Sequence, residues 1–283
     1  MTKKTFEFEN GNRKLTRHAH PLSQIPMKLF FITGTSRGIG EALAQTLLSP
    51  GHLIHCFSRS GNPGLQTAAR IAGCTLYDHR IDLSDIAAVE ALFKNLFAAL
   101  SPEAVSEISL IHNAALLEPV LAVGKGSTAA QIERLYRLNV VAPMLINELL
   151  LQRTQSWPLT RRILLISSGA AKRATHAWAA YCSSKAAIDM YAACLALEQS
   201  AEPHPVAVLA LAPGVVETAM QETLRSKSIE TFPLLPRFLQ IRKEGKAFSP
   251  AFVAQHIAAL LAQPVFPGPV VQDLRDIVGM DQK

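Results

Sequence analysis

Tyr181 and Lys185 stand four residues apart in AWAAYCSSKAAIDM, a stretch otherwise built from Ala, Ile, Met, Cys, Ser and Trp with one acid, Asp189. On a helix that interval is about one turn, so both side chains leave the same face. A phenol beside an ammonium is acid–base chemistry. The free phenol titrates at about 10, and a nearby cation favours the phenolate and lowers that value. From this stretch alone a second reading has equal standing: Lys185 snorkels from a core helix with its ammonium in water. Other parts of the chain must supply a partner for the pair.

Those parts form a regular series. LFFIT (29–33), LIHCFS (53–58), TLYDHRI (75–81), SLIHNA (109–114), ILLIS (163–167), VAVLAL (206–211) and PVVQDL (269–274) read as strands. Several lack polar alternation, as parallel strands covered on both faces do. Helical patterns lie between them near 39–49, 64–72, 84–100, 128–152, 178–200 and 250–262. Ser84 and Ser249 are the expected N-caps of two of these, the second followed by Pro250 at the first helical position. The alternation predicts an α/β fold: one doubly wound parallel sheet of about seven strands, helices on both faces, ligand outside the carboxyl ends of the strands. Residues 27–283 form one domain in this reading, with an irregular, mobile substrate flap at about 214–248. Residues 1–26 are polar, have no apolar run of signal-peptide length, and read as a flexible extension or a start codon placed too early.

The turn after the first strand, TGTSRGIGEAL, carries Gly34, Gly38 and Gly40 in GxxxGxG spacing. Glycines there permit a tight turn, backbone approach to a pyrophosphate, and close packing of the following helix. An NAD site usually has an acid about 20 residues further on for the ribose 2′-hydroxyl. This chain has CFSRS instead, with Arg59, and Arg37 lies inside the turn. Two guanidiniums suit a 2′-phosphate, so NADP(H) is the expected cofactor; the alternative is a pair of solvated surface arginines.

With these pieces the chain resembles the short-chain dehydrogenase/reductase family over roughly 28–275, a Rossmann-type fold. TGTSRGIG matches its cofactor turn, HNAA its NNAG, RLNVVAP its helix asparagine, ISSGAA its serine, YCSSK its YxxxK pair and PGVVET its nicotinamide-covering segment. The resemblance implies a catalytic set of Asn139, Ser168, Tyr181 and Lys185, with Ser168 thirteen positions before Tyr181 as in the family. Tyr181 exchanges the proton and Lys185 tunes it and holds the nicotinamide ribose. Ser168 bonds the substrate oxygen, and Asn139 supports a water-linked proton path to Lys185. Without the family, Asn139 reads equally as a helix capping or core amide.

The implied cofactor contacts are Gly34, Ser36, Arg37, Gly38, Ile39, Gly40, Arg59, Asp82 (adenine), Asn113, Ala114, Tyr181, Lys185, Pro213, Gly214, Val216 and Thr218. Taken alone, Thr218 could equally cap a helix. HNAA departs from the family at His112 and Ala115. Ser167, Ser183 and Ser184 read as structural hydroxyls.

AWAAYCSSKAAIDM, APGVVETAMQ and the final FPGPVVQDLRD look like the sepiapterin reductases and the bacterial benzil reductases of that family. The resemblance implies an NADPH-dependent reductase of a pterin side-chain ketone or an aromatic 1,2-diketone. Substrate contacts would be Ser168, Tyr181, Trp178 and Asp273. Asp273 stands where the sepiapterin reductases anchor the pterin, although an exposed strand-end Asp reads equally there, and Trp178 reads equally as core. A 3-oxoacyl-carrier-protein reductase is an alternative, its partner docking on Arg161–Arg162 or on Arg225, Lys227, Arg242 and Lys243. So is a non-catalytic NADP(H)-binding sensor. The family commonly forms homodimers or homotetramers through the helices near 128–152 and 178–200.

Composition excludes several other classes. At 283 residues and 49% hydrophobic the chain can bury a large core. No apolar window reaches about eighteen residues, so no membrane association is expected. Cys56, Cys74, Cys182 and Cys194 show neither CxxC spacing nor scaffold density, which points to a reducing, cytoplasmic setting. The nine His residues include no HExxH, so no metal is expected. The net charge of +6 suits an anionic ligand, but no long basic run indicates nucleic acid.

Overall fold

Met27–Thr33 (β1) is apolar at nearly every position, and the pleat sends its side chains alternately to two buried faces. Leu29 and Phe31 join one core, Phe30 and Ile32 the other. The structure, a computed structural model describing residues 27–279, therefore sandwiches this strand between helix layers; the extension expected at 1–26 lies outside the described residues.

In chain order β1 is followed by α1 (Gly38–Thr46), β2 (His52–Ser58), α2 (Pro63–Ile71), β3 (Thr75–Arg80) and α3 (Ile86–Ala98). Next come β4 (Val105–His112), α4 (Ala129–Tyr136), a π-helical turn at Arg137–Val141, α5 (Ala142–Thr154) and β5 (Thr160–Ile166). The chain continues through α6 (Ala179–Gln199), β6 (Ala207–Ala212), α7 (Ala219–Arg225), α8 (Leu235–Lys243), α9 (Pro250–Leu261), β7 (Val271–Asp273) and α10 (Leu274–Ile277). All seven strands are parallel, ordered β3-β2-β1-β4-β5-β6-β7. The order reverses beside β1, which splays the loops after β1 and β4 apart and opens a crevice at the carboxyl edge. α1, α2 and α9 cover one face through Leu43, Leu65, Val253 and Ile257; α3, α5 and α6 cover the other through Phe93, Phe97, Ile146, Leu150 and Ile188. Each such buried Leu, Ile or Phe contributes about 1.5–3 kcal/mol.

Ser249 caps α9 as expected, accepting from Phe252 N at 3.1 Å. Ser84 does not cap α3: Asp85 does, accepting from Ala88 N, while the Ser84 hydroxyl turns to Asp82. β4 stops at His112, short of 114, because the backbone N–H groups of Asn113 and Ala114 leave the ladder for Thr33 Oγ1 at 2.9 and 3.1 Å. The helix expected over 128–152 is interrupted at Arg137–Val141. Pro143 has no N–H to give the carbonyl of Asn139 four residues earlier, so the regular ladder must break there. The segment 214–248 is not irregular throughout, since α7 and α8 lie in it. Its base is pinned where Val216 bridges Phe248.

Arg161 and Arg162 are not a surface patch. They are 1% and 3% exposed. Arg161 donates to the carbonyls of Thr154, Gln155 and His204. Arg162 pairs with Glu107 at 2.8 Å and bonds Gln263 O. An isolated buried guanidinium is costly, so each fastens loop carbonyls or a carboxylate instead of facing a partner. No described helix is long and apolar enough to cross a membrane, and no cluster of His, Cys, Asp and Glu suited to a metal occurs among the described residues.

Candidate active site

A cleft of about 530 Å³ opens where β1 and β4 end. Its floor is the glycine turn. Gly34 lies at φ +76° and Gly38 at φ +66°, a region side chains rarely adopt. Gly40 is needed for space: a Cβ there would fall 2.3 Å from the Gly34 carbonyl oxygen and 2.5 Å from Asn113 Nδ2. Asn113 ties the turn down from β4, donating through Nδ2 to the carbonyls of Thr33 (2.9 Å) and Gly34 (3.1 Å). Gly34, Ser36, Gly38 and Ile39 line the cleft; Gly40 lies beneath it as packing.

Arg37 and Arg59 are exposed and both line the same end of the site. Asp82 does not line the cleft, whereas its neighbours Ile81 and Leu83 do. Its carboxylate accepts from the Ser84 backbone and hydroxyl and from Arg134 at 3.1 Å, which together hold it below the usual carboxylate range against a burial cost.

The two departures in HNAA have structural explanations. Among the described residues Ala177 is the only non-glycine at positive φ, so Ala115 sits on ordinary backbone and its methyl is sterically allowed. His112 points away from the cleft into the core, where its ring contacts Asn147 Oδ1 at 2.8 Å, and Asn147 Nδ2 donates to Tyr191. Burial pushes His112 down to about 4, with the Asn147 bond opposing. Its protonated form is thus disfavoured in the folded chain, and the unfolded chain binds more protons between pH 6.5 and about 4. Stability is fully present above that window and falls as pH drops through it. At pH 5 the loss from this residue is about 2 kcal/mol. Denaturant unfolding at pH 7 and pH 5 should show this drop, reduced in His112→Gln; an equal drop in both proteins would remove His112 as its cause.

The chemical end is built from β5 and α6. Ser168, just past β5, is half-buried, and its Oγ accepts from Ala170 N at 3.1 Å and hydrogen-bonds Tyr181. Tyr181 and Lys185 share one face of α6 and are 6% and 4% exposed. The Lys185 ammonium lies 5.9 Å from the Tyr181 ring centroid and donates to the Ile166 carbonyl at 2.7 Å. It therefore does not snorkel to water. Burial pushes Tyr181 up to about 12, against the Ser168 bond, and Lys185 down to about 8, against Asp189. The expectation that Lys185 makes Tyr181 acidic is not met in this arrangement. Removing both groups from water penalises phenolate and ammonium alike, and Lys185 is held on a carbonyl instead of the phenol oxygen.

Asn139 lies in the π-helical turn, outside the cleft lining. Its side chain clasps the backbone of Leu116, accepting from N and donating to O at 2.8 Å each, and donates to Ser184 Oγ at 3.1 Å. Ser184 in turn donates to the Tyr181 carbonyl. Asn139 thus joins the loop after β4 to α6. Ser167 donates to Asp189, and Ser183 accepts from Tyr136 Oη, both as structural hydroxyls.

Pro213, Gly214, Val216 and Thr218 line the opposite wall. Thr218 occupies the N-cap of α7 with no side-chain cap bond, and its Cγ2 is 3.3 Å from where a Cβ on Gly38 would stand. Trp178 forms an aromatic wall with Phe232 (5.4 Å, 10°) and Phe238 (5.8 Å), and meets Tyr181 edge-on (5.5 Å, 77°). Its indole Nε1 is buried without a hydrogen-bond partner. Asp273 is 5% exposed and absent from the lining, where Arg275 stands instead. Arg275 and Phe238, which also line the cleft, were not legible as site residues. The one signal was the Asp–Leu–Arg spacing, which brings opposite charges together in a single turn.

The described groups fit a nicotinamide dinucleotide. The glycine turn leaves backbone open at the start of α1, and the two exposed arginines lie on the same side. Residues 28–229 match the family model described as short chain dehydrogenase. The benzil reductase ((S)-benzoin forming) of Bacillus cereus is 36% identical over 241 residues, covering 85% of this chain and 96% of its own. The sepiapterin reductase of Rattus norvegicus is 30% identical over 267 residues, covering 87% and 95%. The crystal structure of the KRED1-Pglu enzyme superposes with a TM-score of 0.72 at 26% identity, covering 86% of this chain and 98% of that one.

Proposed function

The chain belongs to the short-chain dehydrogenase family, and from that premise we propose that it is an NADPH-dependent carbonyl reductase acting on aromatic 1,2-diketones. The observation that carries the reaction is the Ser168–Tyr181 hydroxyl pair at the buried end of the cleft. The nicotinamide supplies hydride to the carbonyl carbon when bound. Ser168 and Tyr181 donate to the carbonyl oxygen, stabilising the charge that develops on it. Tyr181 then gives up its proton. Reduction requires the protonated phenol, the form that burial favours, and the alkoxide formed is a strong enough base to take the proton. Lys185, with its ammonium directed at this end of the site, supports the nicotinamide ribose and proton return. Asn139 is a positioning residue, fixing the loop after β4 against α6.

Support for an aryl substrate comes from Trp178 and Phe238, which line the cleft and pack on each other over the buried Phe232 ring. A pterin's donor-rich edge would want a free carboxylate, and Asp273 is occupied by Arg275. Carrier-protein docking is less favoured, because Arg161 and Arg162 are buried, Arg225 pairs with Glu217 and Lys227 with Glu118, which leaves only Arg242 and Lys243 exposed from the expected patch. A sensor would have no use for the hydroxyl pair. Exposed Val141 just before α5, Met144 on α5, and Met190 and Leu197 on α6 support the expected pairing of subunits.

The test is NADPH and NADH oxidation with benzil, sepiapterin and an acetoacetyl thioester. NADPH with benzil should give the highest kcat/KM. Arg59→Ala should cut the NADPH-over-NADH preference about tenfold, the cost of one charge-assisted phosphate contact. An unchanged preference rejects Arg59, and absence of benzil turnover rejects the substrate.

A further inference from the structure

Arg275 reaches the catalytic end of the cleft in a fixed pose. Its Nε donates to Asp273 Oδ1 at 2.8 Å and its Nη2 to Oδ2 at 2.6 Å, while its backbone N also donates to Oδ1 at 3.0 Å. Asp273 is almost fully covered, and the Arg275 side chain keeps 27% of its surface. Two glycines adjoin it. A Cβ on Gly169, the residue after Ser168, would stand 3.8 Å from Nη2, and one on Gly214 would stand 3.6 Å from Cγ. The Arg275 side chain therefore runs past the loop after β6, with its guanidinium at the loop bearing Ser168.

The carboxylate takes one N–H of Nε and one of Nη2. That leaves both N–H groups of Nη1 and the second of Nη2, with no other hydrogen-bond partner among the described residues. The pair is close to neutral in charge, so what it offers a ligand is directed donors more than a net cation. Such donors suit a neutral acceptor oxygen. They belong to a guanidinium that lines the same cleft as Ser168 and lies beside Gly169, the next residue.

We propose that Arg275, clamped by Asp273, is a specificity-determining residue that donates to the second oxygen of a vicinal dicarbonyl while Ser168 and Tyr181 hold the first. The inference rests on the reductase reading of the same cleft and narrows its substrate class to carbonyl compounds with an acceptor oxygen on the adjacent carbon. An isolated ketone has nothing to place there, and the guanidinium then stays with water or unpaired. Asp273 is a positioning residue in this arrangement, since bidentate pairing stops the guanidinium from rotating.

Benzil and deoxybenzoin share a carbon skeleton and differ by one carbonyl oxygen, so the ratio of their kcat/KM values isolates that contact. Arg275→Met, which keeps bulk and removes the donors, should lower the ratio about tenfold or more. Arg275→Lys keeps the charge opposite Asp273 but lacks the fork and should lower it as well, which guards against a folding failure of the first variant. NADPH titration and melting of each variant establish an intact site. Wild-type turnover of benzil with an unchanged ratio in the variants overturns Arg275 and leaves the reductase reading standing. Wild-type protein that turns over neither ketone overturns both.

Discussion

Tyr181→Phe should lower kcat for diketone reduction about a thousandfold while leaving NADPH binding within a few-fold of wild type. The substitution removes only the oxygen. The ring keeps its edge-on contact with Trp178, and Lys185 keeps its bond to the Ile166 carbonyl. Lost are the proton donor and one of two donors to the carbonyl oxygen, leaving Ser168 alone to stabilise an alkoxide that has no nearby acid. Residual activity should come from water, which is a poorer and less oriented acid. Pre-steady-state NADPH oxidation with benzil separates this step from product release. A Tyr181→Phe rate within about tenfold of wild type would mean that another group delivers the proton, because general-acid contributions are about 10²–10⁴.

Gly40→Ala should damage the protein more broadly, although it adds one methyl group far from the reacting atoms. That methyl would sit 2.3 Å from the Gly34 carbonyl oxygen and 2.5 Å from Asn113 Nδ2. Neither neighbour is free to retreat. Gly34 N is bonded to Phe57 O at 2.7 Å, and Asn113 is held by three hydrogen bonds, two to Thr33 and one to Gly34. The start of α1 must therefore lift away from the turn. The cost is expected at the upper end of overpacking losses, about 3 kcal/mol, or a fall in Tm of about 5 °C for a domain of this size. The same shift withdraws the backbone that would face the pyrophosphate, so NADPH affinity should drop about tenfold or more. Thermal unfolding and cofactor titration check the two arms separately. A variant with wild-type Tm would show that the helix start yields easily. Unchanged NADPH affinity would show that the turn tolerates displacement.

Much of this molecule was legible before its coordinates. The alternation of unbroken apolar runs with helical patterns carries the fold, because a parallel strand has no other way to hide two faces. The glycine spacing and the Tyr181–Lys185 interval carry the tight turn before α1 and the shared helix face, since both lie within one local element whose geometry depends on residue spacing alone. Ser249 could be read as a cap for the same reason.

What failed or stayed open depends on neighbours distant in sequence. The sequence could not show that Arg161 and Arg162 are buried, because their acceptors lie at Thr154, Gln155, His204, Glu107 and Gln263. His112 looked like a flaw in a cofactor motif until Asn147, thirty-five residues away, was found beside its ring. Lys185 was expected to acidify Tyr181, an argument from spacing that omitted desolvation, which only the packed structure supplies. Asp273 looked free to meet a ligand until the turn of α10 brought Arg275 back onto it. Local backbone geometry follows from which residue comes next; burial, charge pairing and proton affinity follow from which residues the fold brings together.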